Sequence, residues 1–221
     1  MEQCIVASDE PVIYCIQETI RSYLKNGRTL LLLSGGSAAT VAVRSLEELP
    51  SKLTADLLIG QIDERYGPVG HPYSNWKHLQ KQGLSPHKYS CYPILKGVGR
   101  EETVSQYNAF LQEMAAKGDL PIVGIFGIGT DGHTAGILPE SPAVKVKDSL
   151  LTSYEGPDFY RITVTPAFIE RVNAAILYAK GEEKARVLRT LLQDEPPERV
   201  PAQLLKKAGQ FTIFHNYTDH A

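Results

Sequence analysis

The chain has 221 residues, 43% hydrophobic and 22% charged, with 18 Gly and 14 Pro, a balance that excludes a disordered, collagen-like or coiled-coil chain. Its 23 Lys and Arg against 25 Asp and Glu give a formal net charge of -2, without the basic surplus of a nucleic-acid binder. Any anion site must therefore be local, and no nucleic-acid partner is expected.

At roughly 100–200 residues per domain, we expect one domain spanning 1–221. The amino terminus, MEQCIVASDE, has neither a basic segment nor an apolar core, and apolar runs such as Leu30 to Leu33 fall far short of a membrane span. Cys4, Cys15 and Cys91 make an odd number with no C-x-x-C spacing, which predicts neither a disulfide framework nor a zinc knuckle. A cytoplasmic protein with buried, inert thiols and no membrane partner is the expectation.

From Ser8 to Gly27, Val12, Ile13, Ile16, Ile20, Tyr23 and Leu24 recur at helical spacing. Thr29 to Leu33 is a short apolar run that ends in Ser34-Gly35-Gly36-Ser37 before a helix-like stretch from Ala38 to Leu49. Strand, glycine turn, helix is the reading. A strand from Ala55 to Ile62 ends in Asp63-Glu64-Arg65, and a loop from Gly67 to Asn75 enters a helix at Trp76. Val104, Tyr107, Leu111 and Met114 mark a helix ending at Gly118, and Ile122 to Phe126 is a strand followed by Gly127 to His133. Lys145 to Asp158 reads as an ordinary loop, Ile162 to Val164 and Ala174 to Tyr178 as strands, and 182 to 193 as a helix.

Alternating strands and helices predict an α/β fold with a mostly parallel sheet, helices on both faces and ligands beyond the carboxyl ends of the strands. The unusual loops fall there. Ser34, Gly35, Gly36 and Ser37 either wrap an anion at a helix N-terminus or make a tight turn. Asp63, Glu64 and Arg65 are a surface rim or part of a site, where Arg65 contacts a phosphate and Asn75 a hydroxyl. Three glycines surround Asp131 and His133, a setting in which backbone approaches a ligand closely and the imidazole takes a proton from water. Asp131 orients that imidazole or holds a substrate hydroxyl. Lys184 and Arg161 either bind an anion or point to water. The chain has neither a G-x-S-x-G elbow nor H-E-x-x-H zinc spacing.

Five separated motifs, LLLSGGSAAT, IDERYGPVGHPYSNWKHL, GIGTDGHTAGILPESPA, RITVT and GEEKARVL, together resemble the 6-phosphogluconolactonase family. This family lies within the wider group that contains glucosamine-6-phosphate deaminase/isomerase. The resemblance implies a three-layer α/β/α fold and hydrolysis of a sugar phosphate lactone, 6-phospho-D-glucono-1,5-lactone, by water without metal or nucleotide cofactor. It implies that Ser34, Gly35, Gly36 and Ser37 cradle the phosphate with Arg161 and Lys184 as clamps. His133 would be the general base, with Asp63, Arg65, Asn75 and Asp131 on the sugar side. Deaminases of the group carry a catalytic Glu five residues after the corresponding His, where this chain has Leu138, and a Tyr after Asp-Glu, where it has Arg65. Ala38-Ala39 replaces the family's usual Thr-Pro. A monomer or small homo-oligomer is expected. The rival readings are an amino-sugar phosphate deaminase/isomerase, a non-catalytic sugar-phosphate sensor and a general esterase.

Overall fold

The computed structural model describes residues 1–217. In chain order the elements are β1 (Glu2–Ile5), α1 (Glu10–Leu24), β2 (Thr29–Leu33), α2 (Ser37–Glu47), α3 (Ser51–Thr54), β3 (Leu57–Gln61), β4 (Asp63–Arg65) and α4 (Asn75–Lys81). There follow β5 (Ser90–Tyr92), α5 (Arg100–Ala116), β6 (Ile122–Phe126), β7 (Leu151–Glu155), β8 (Tyr160–Val164), α6 (Pro166–Ile169), β9 (Ala174–Ala179), α7 (Ala185–Leu192) and β10 (Gln210–His215).

Seven strands form a parallel sheet in the order β1-β10-β9-β6-β2-β3-β5. The central strands β2, β3, β6 and β9 are buried along their whole length, as expected where helices cover both faces. Side-chain alternation splits β2 between two cores. Leu31 and Leu33 pack with α1 and α2 on one face, while Leu30 and Leu32 pack with α5 and α7 on the other. The result is a three-layer α/β/α arrangement. On burial bookkeeping each enclosed Leu is worth about 1.5–3 kcal/mol, so the β2 run contributes to holding the layers on both faces.

The strand expected at Ile162 to Val164 is present as part of β8, but it does not join the parallel sheet. β8 belongs to a separate three-stranded antiparallel sheet, β4-β8-β7. Ile62 is the crossing point: its N–H donates to Leu33 O of β2 at 2.9 Å, and its carbonyl accepts from Val164 N of β8 at 3.0 Å. The chain thus leaves the large sheet at the end of β3 and carries Asp63 to Arg65 over the carboxyl ends of the strands. β7 likewise lies within the stretch read as an ordinary loop.

The cysteines are half-buried rather than buried, and none forms a disulfide. Burial still pushes the Cys91 thiol up to about 11. Among the described residues no helix is long and apolar enough to cross a membrane.

Candidate active site

The loops after β2, β3, β6 and β9 enclose a cleft of about 230 Å³ beyond the carboxyl ends of the strands, the place where open α/β sheets bind ligands. Ser34, Gly35, Gly36, Ser37, Asp63, Arg65, Asn75, His133, Arg161 and Lys184 all line it. Asp131 does not, and reaches the cleft through His133.

Ser34 is fixed by donating its hydroxyl to Ile125 O of β6 at 3.0 Å. Gly36, before the first turn of α2, has φ 71° and ψ -152°, a region essentially reserved for glycine. A Cβ on Gly35 would overlap Asn75 Oδ1, so this loop lies directly against the Asn75 side chain. Ser37 Oγ is buried with no hydrogen-bond partner among the described residues. A buried hydroxyl without a partner is costly, and a bound anion would satisfy it.

β4 and β8 place Arg65 directly opposite Arg161, and both line the cleft. Like charges facing across a strand pair repel. Each guanidinium also keeps a buried Nε without a partner among the described residues, although Arg161 donates to Asp158 at 2.8 Å. Arg65 donates to Asn75 Oδ1 at 3.0 Å and to Tyr73 O at 3.1 Å. Asn75 Nδ2 in turn donates to Asp63 Oδ2 and to Asp63 O, each at 3.0 Å, so three of the expected residues form one chain. Burial raises the Asp63 carboxyl above the usual carboxylate range, against the opposing pull of Arg65.

In the loop after β6, His133 Nδ1 lies 2.6 Å from Asp131 Oδ1, which also accepts from His133 N at 3.1 Å. Sequence spacing left open whether Asp131 and His133 face one another, and they do. The His133 bond holds the Asp131 carboxyl below its usual range. An ionised carboxylate only accepts, so the bond requires the ring proton on Nδ1 and leaves Nε2 as the lone-pair nitrogen. Gly129 permits this pairing, because a Cβ there would overlap both the imidazole and the Asp131 carboxylate.

Residues not singled out from the sequence hold the loop that follows. Ala135 lines the cleft at φ 53°, and its carbonyl accepts from Thr163 Oγ1. Tyr154 OH donates to Gly136 O at 2.7 Å and accepts from Leu138 N at 3.1 Å. The Lys184 ammonium has no hydrogen bond or ion pair among the described residues, and burial lowers its pKa while Glu183 partly restores it. It precedes α7 in a short turn, Glu182–Lys184. No group of three His, Cys, Asp or Glu side chains among the described residues could hold a metal ion.

The family model described as glucosamine-6-phosphate isomerases/6-phosphogluconolactonase matches residues 7–214. The chain belongs to this family. A human relative named 6-phosphogluconolactonase is 28% identical over 193 residues, covering 81% of this chain and 74% of its own. One from Synechocystis with the same name is 26% identical over 215 residues, covering 91% and 88%. The solved 6-phosphogluconolactonase of Thermotoga maritima has a TM-score of 0.80 at 20% identity, covering 98% of this chain and 99% of its own. A monomeric glucosamine-6-phosphate deaminase has a TM-score of 0.78 at 17% identity, covering 98% and 97%. Both branches of the family share this fold, so the cleft must distinguish them. Leu138, where the resemblance would put a deaminase glutamate, is not among the residues lining the cleft and packs against the larger core.

Proposed function

We propose that this chain hydrolyses 6-phospho-D-glucono-1,5-lactone to 6-phosphogluconate, the lactone-opening step of the oxidative pentose phosphate pathway. One observation carries the reading: an imidazole backed by Asp131 at 2.6 Å lines the same cleft as Arg65, Arg161, Lys184 and the Ser34–Ser37 loop. A base and an anion cradle lining one cleft fit a phosphorylated substrate with an electrophilic carbonyl.

His133 Nε2 takes a proton as water oxygen bonds to the lactone carbonyl carbon. Arg65 meets the oxyanion that forms. The intermediate collapses, the bond from carbonyl carbon to ring oxygen breaks, and the imidazolium returns its proton to that oxygen. The product acid then ionises. Ser34, Gly35, Gly36 and Ser37 hold the phosphate at the start of α2 with Arg161 and Lys184, while Asp63 and Asn75 hold sugar hydroxyls. Binding energy at the phosphate positions the carbonyl. The half-buried cysteines without a disulfide accord with a cytoplasmic setting.

The test compares three substrates: the phosphorylated lactone made in place from glucose 6-phosphate, gluconolactone without phosphate, and glucosamine 6-phosphate assayed for ammonia. The reading expects acceleration above the spontaneous rate for the first, a large loss of kcat/KM for the second, and no ammonia from the third. Ammonia release without lactone hydrolysis would overturn it in favour of the deaminase. Binding of 6-phosphogluconate without turnover would indicate a sensor.

A further inference from the structure

Successive residues of a strand face opposite ways. In β4, Asp63 and Arg65 line the cleft, and Glu64 between them does not. Its side chain has no exposure to solvent, and it accepts five hydrogen bonds. Oε2 accepts from Gln61 Nε2 at 3.0 Å, Ser74 Oγ at 2.9 Å and Trp76 N at 3.0 Å. Oε1 accepts from Arg65 N at 2.8 Å and Asn75 N at 2.6 Å.

A buried carboxylate is costly to desolvate, and an apolar replacement of similar size often stabilises a fold as well or better. Stability alone is therefore a poor reason for Glu64. Its donors come from the end of β3, from β4 and from the start of α4, and two of them are the backbone amides of Arg65 and Asn75. Those two side chains are joined to one another at 3.0 Å, and Asn75 reaches both Asp63 and the Gly35 backbone. We propose that Glu64 is a positioning residue for lactone hydrolysis: from beneath the cleft its carboxylate holds the Arg65 and Asn75 backbones so that their side chains meet substrate.

This inference rests on the lactonase reading. Gln at position 64 preserves size but presents an N–H to donors whichever way it is turned, because backbone amides donate to both carboxylate oxygens, Trp76 N to Oε2 and Arg65 N and Asn75 N to Oε1. The test is a double-mutant cycle of Glu64→Gln with Asn75→Ala, reading kcat/KM for the lactone and the Kd of 6-phosphogluconate. The expected loss from Glu64→Gln is about 10-fold or more in the otherwise unaltered chain, shrinking to about 3-fold or less beside Asn75→Ala. Ser74→Ala, which removes one donor and leaves the charge, is expected to lose about 3-fold and to lose it only when Asn75 is present. That variant carries the test if Glu64→Gln does not fold. Losses that multiply fully in both cycles, with turnover retained in the unaltered chain, overturn the positioning role alone. An unaltered chain without lactonase activity overturns the function and the positioning role with it.

Discussion

Asp131→Asn isolates the pairing on which the mechanism depends. The bond from Asp131 to His133 is 2.6 Å, and a hydrogen bond to a charged group contributes about 1.5–3 kcal/mol. Both side chains remain partly open to water, 38% for His133 and 49% for Asp131, so solvent screening places the value in the lower half, about 1.5–2 kcal/mol. At about 1.4 kcal/mol for each tenfold in rate, kcat falls about 10- to 30-fold. An amide turned with its NH2 toward Nδ1 adds to the loss by holding the ring proton on Nε2, where the base must be free. KM stays within about twofold, because Asp131 does not line the cleft and removing a group that acts on the reacting step alone leaves binding intact. Initial rates of lactone opening, coupled to oxidation of the 6-phosphogluconate formed, measure both constants. A kcat within twofold of the unaltered chain, or a loss confined to KM, refutes the orienting role.

Lys184→Ala is expected to raise KM about 10- to 100-fold with kcat little changed, since it removes a charged contact to the phosphate and nothing at the carbonyl. Gly36→Ala puts a side chain at φ 71°, ψ -152°; a cost of about 1–3 kcal/mol lowers the melting temperature by about 3–10 °C, read by scanning calorimetry. Asp63→Asn tests the buried carboxyl. Its raised pKa means that its contribution to stability is present at low pH and is lost as pH rises through the folded value. The variant therefore matches the unaltered chain near pH 4, about the ordinary Asp value, and becomes relatively more stable toward pH 8. A relative stability that falls with rising pH contradicts this sign.

Uniformly apolar segments were legible in the sequence. β2 and β6 stand at Thr29–Leu33 and Ile122–Phe126 as read, because a strand buried on both faces carries its signal in every residue. β1, with Glu2 and Gln3 on a largely exposed edge, and β5, a half-buried segment of three residues, carry no such run. β7 alternates only weakly and lies in a stretch that reads as a loop. Asp63-Glu64-Arg65 is a strand without an apolar residue, held by pairing with β8, so its charges suggested a loop. The cost of that reading was Glu64: strand alternation would have set the middle residue on the face away from Asp63 and Arg65. Ten of the eleven residues named from the sequence line one cleft, and glycines, charges and hydrogen-bonding side chains next to strand ends and helix starts are conspicuous in a sequence. The pairing of Asp131 with His133 was not legible, since it depends on the turn at Gly129 and Gly132, which donates Gly132 N to Gly129 O at 3.0 Å.

The most direct test compares the unaltered chain with His133→Ala, each checked for folding by circular dichroism, for the rate of 6-phosphogluconolactone hydrolysis above the spontaneous background. The account predicts clear acceleration by the unaltered chain and a loss of about 10²- to 10⁴-fold in the variant, the range supplied by a positioned general base. Equal turnover by the two proteins would contradict it.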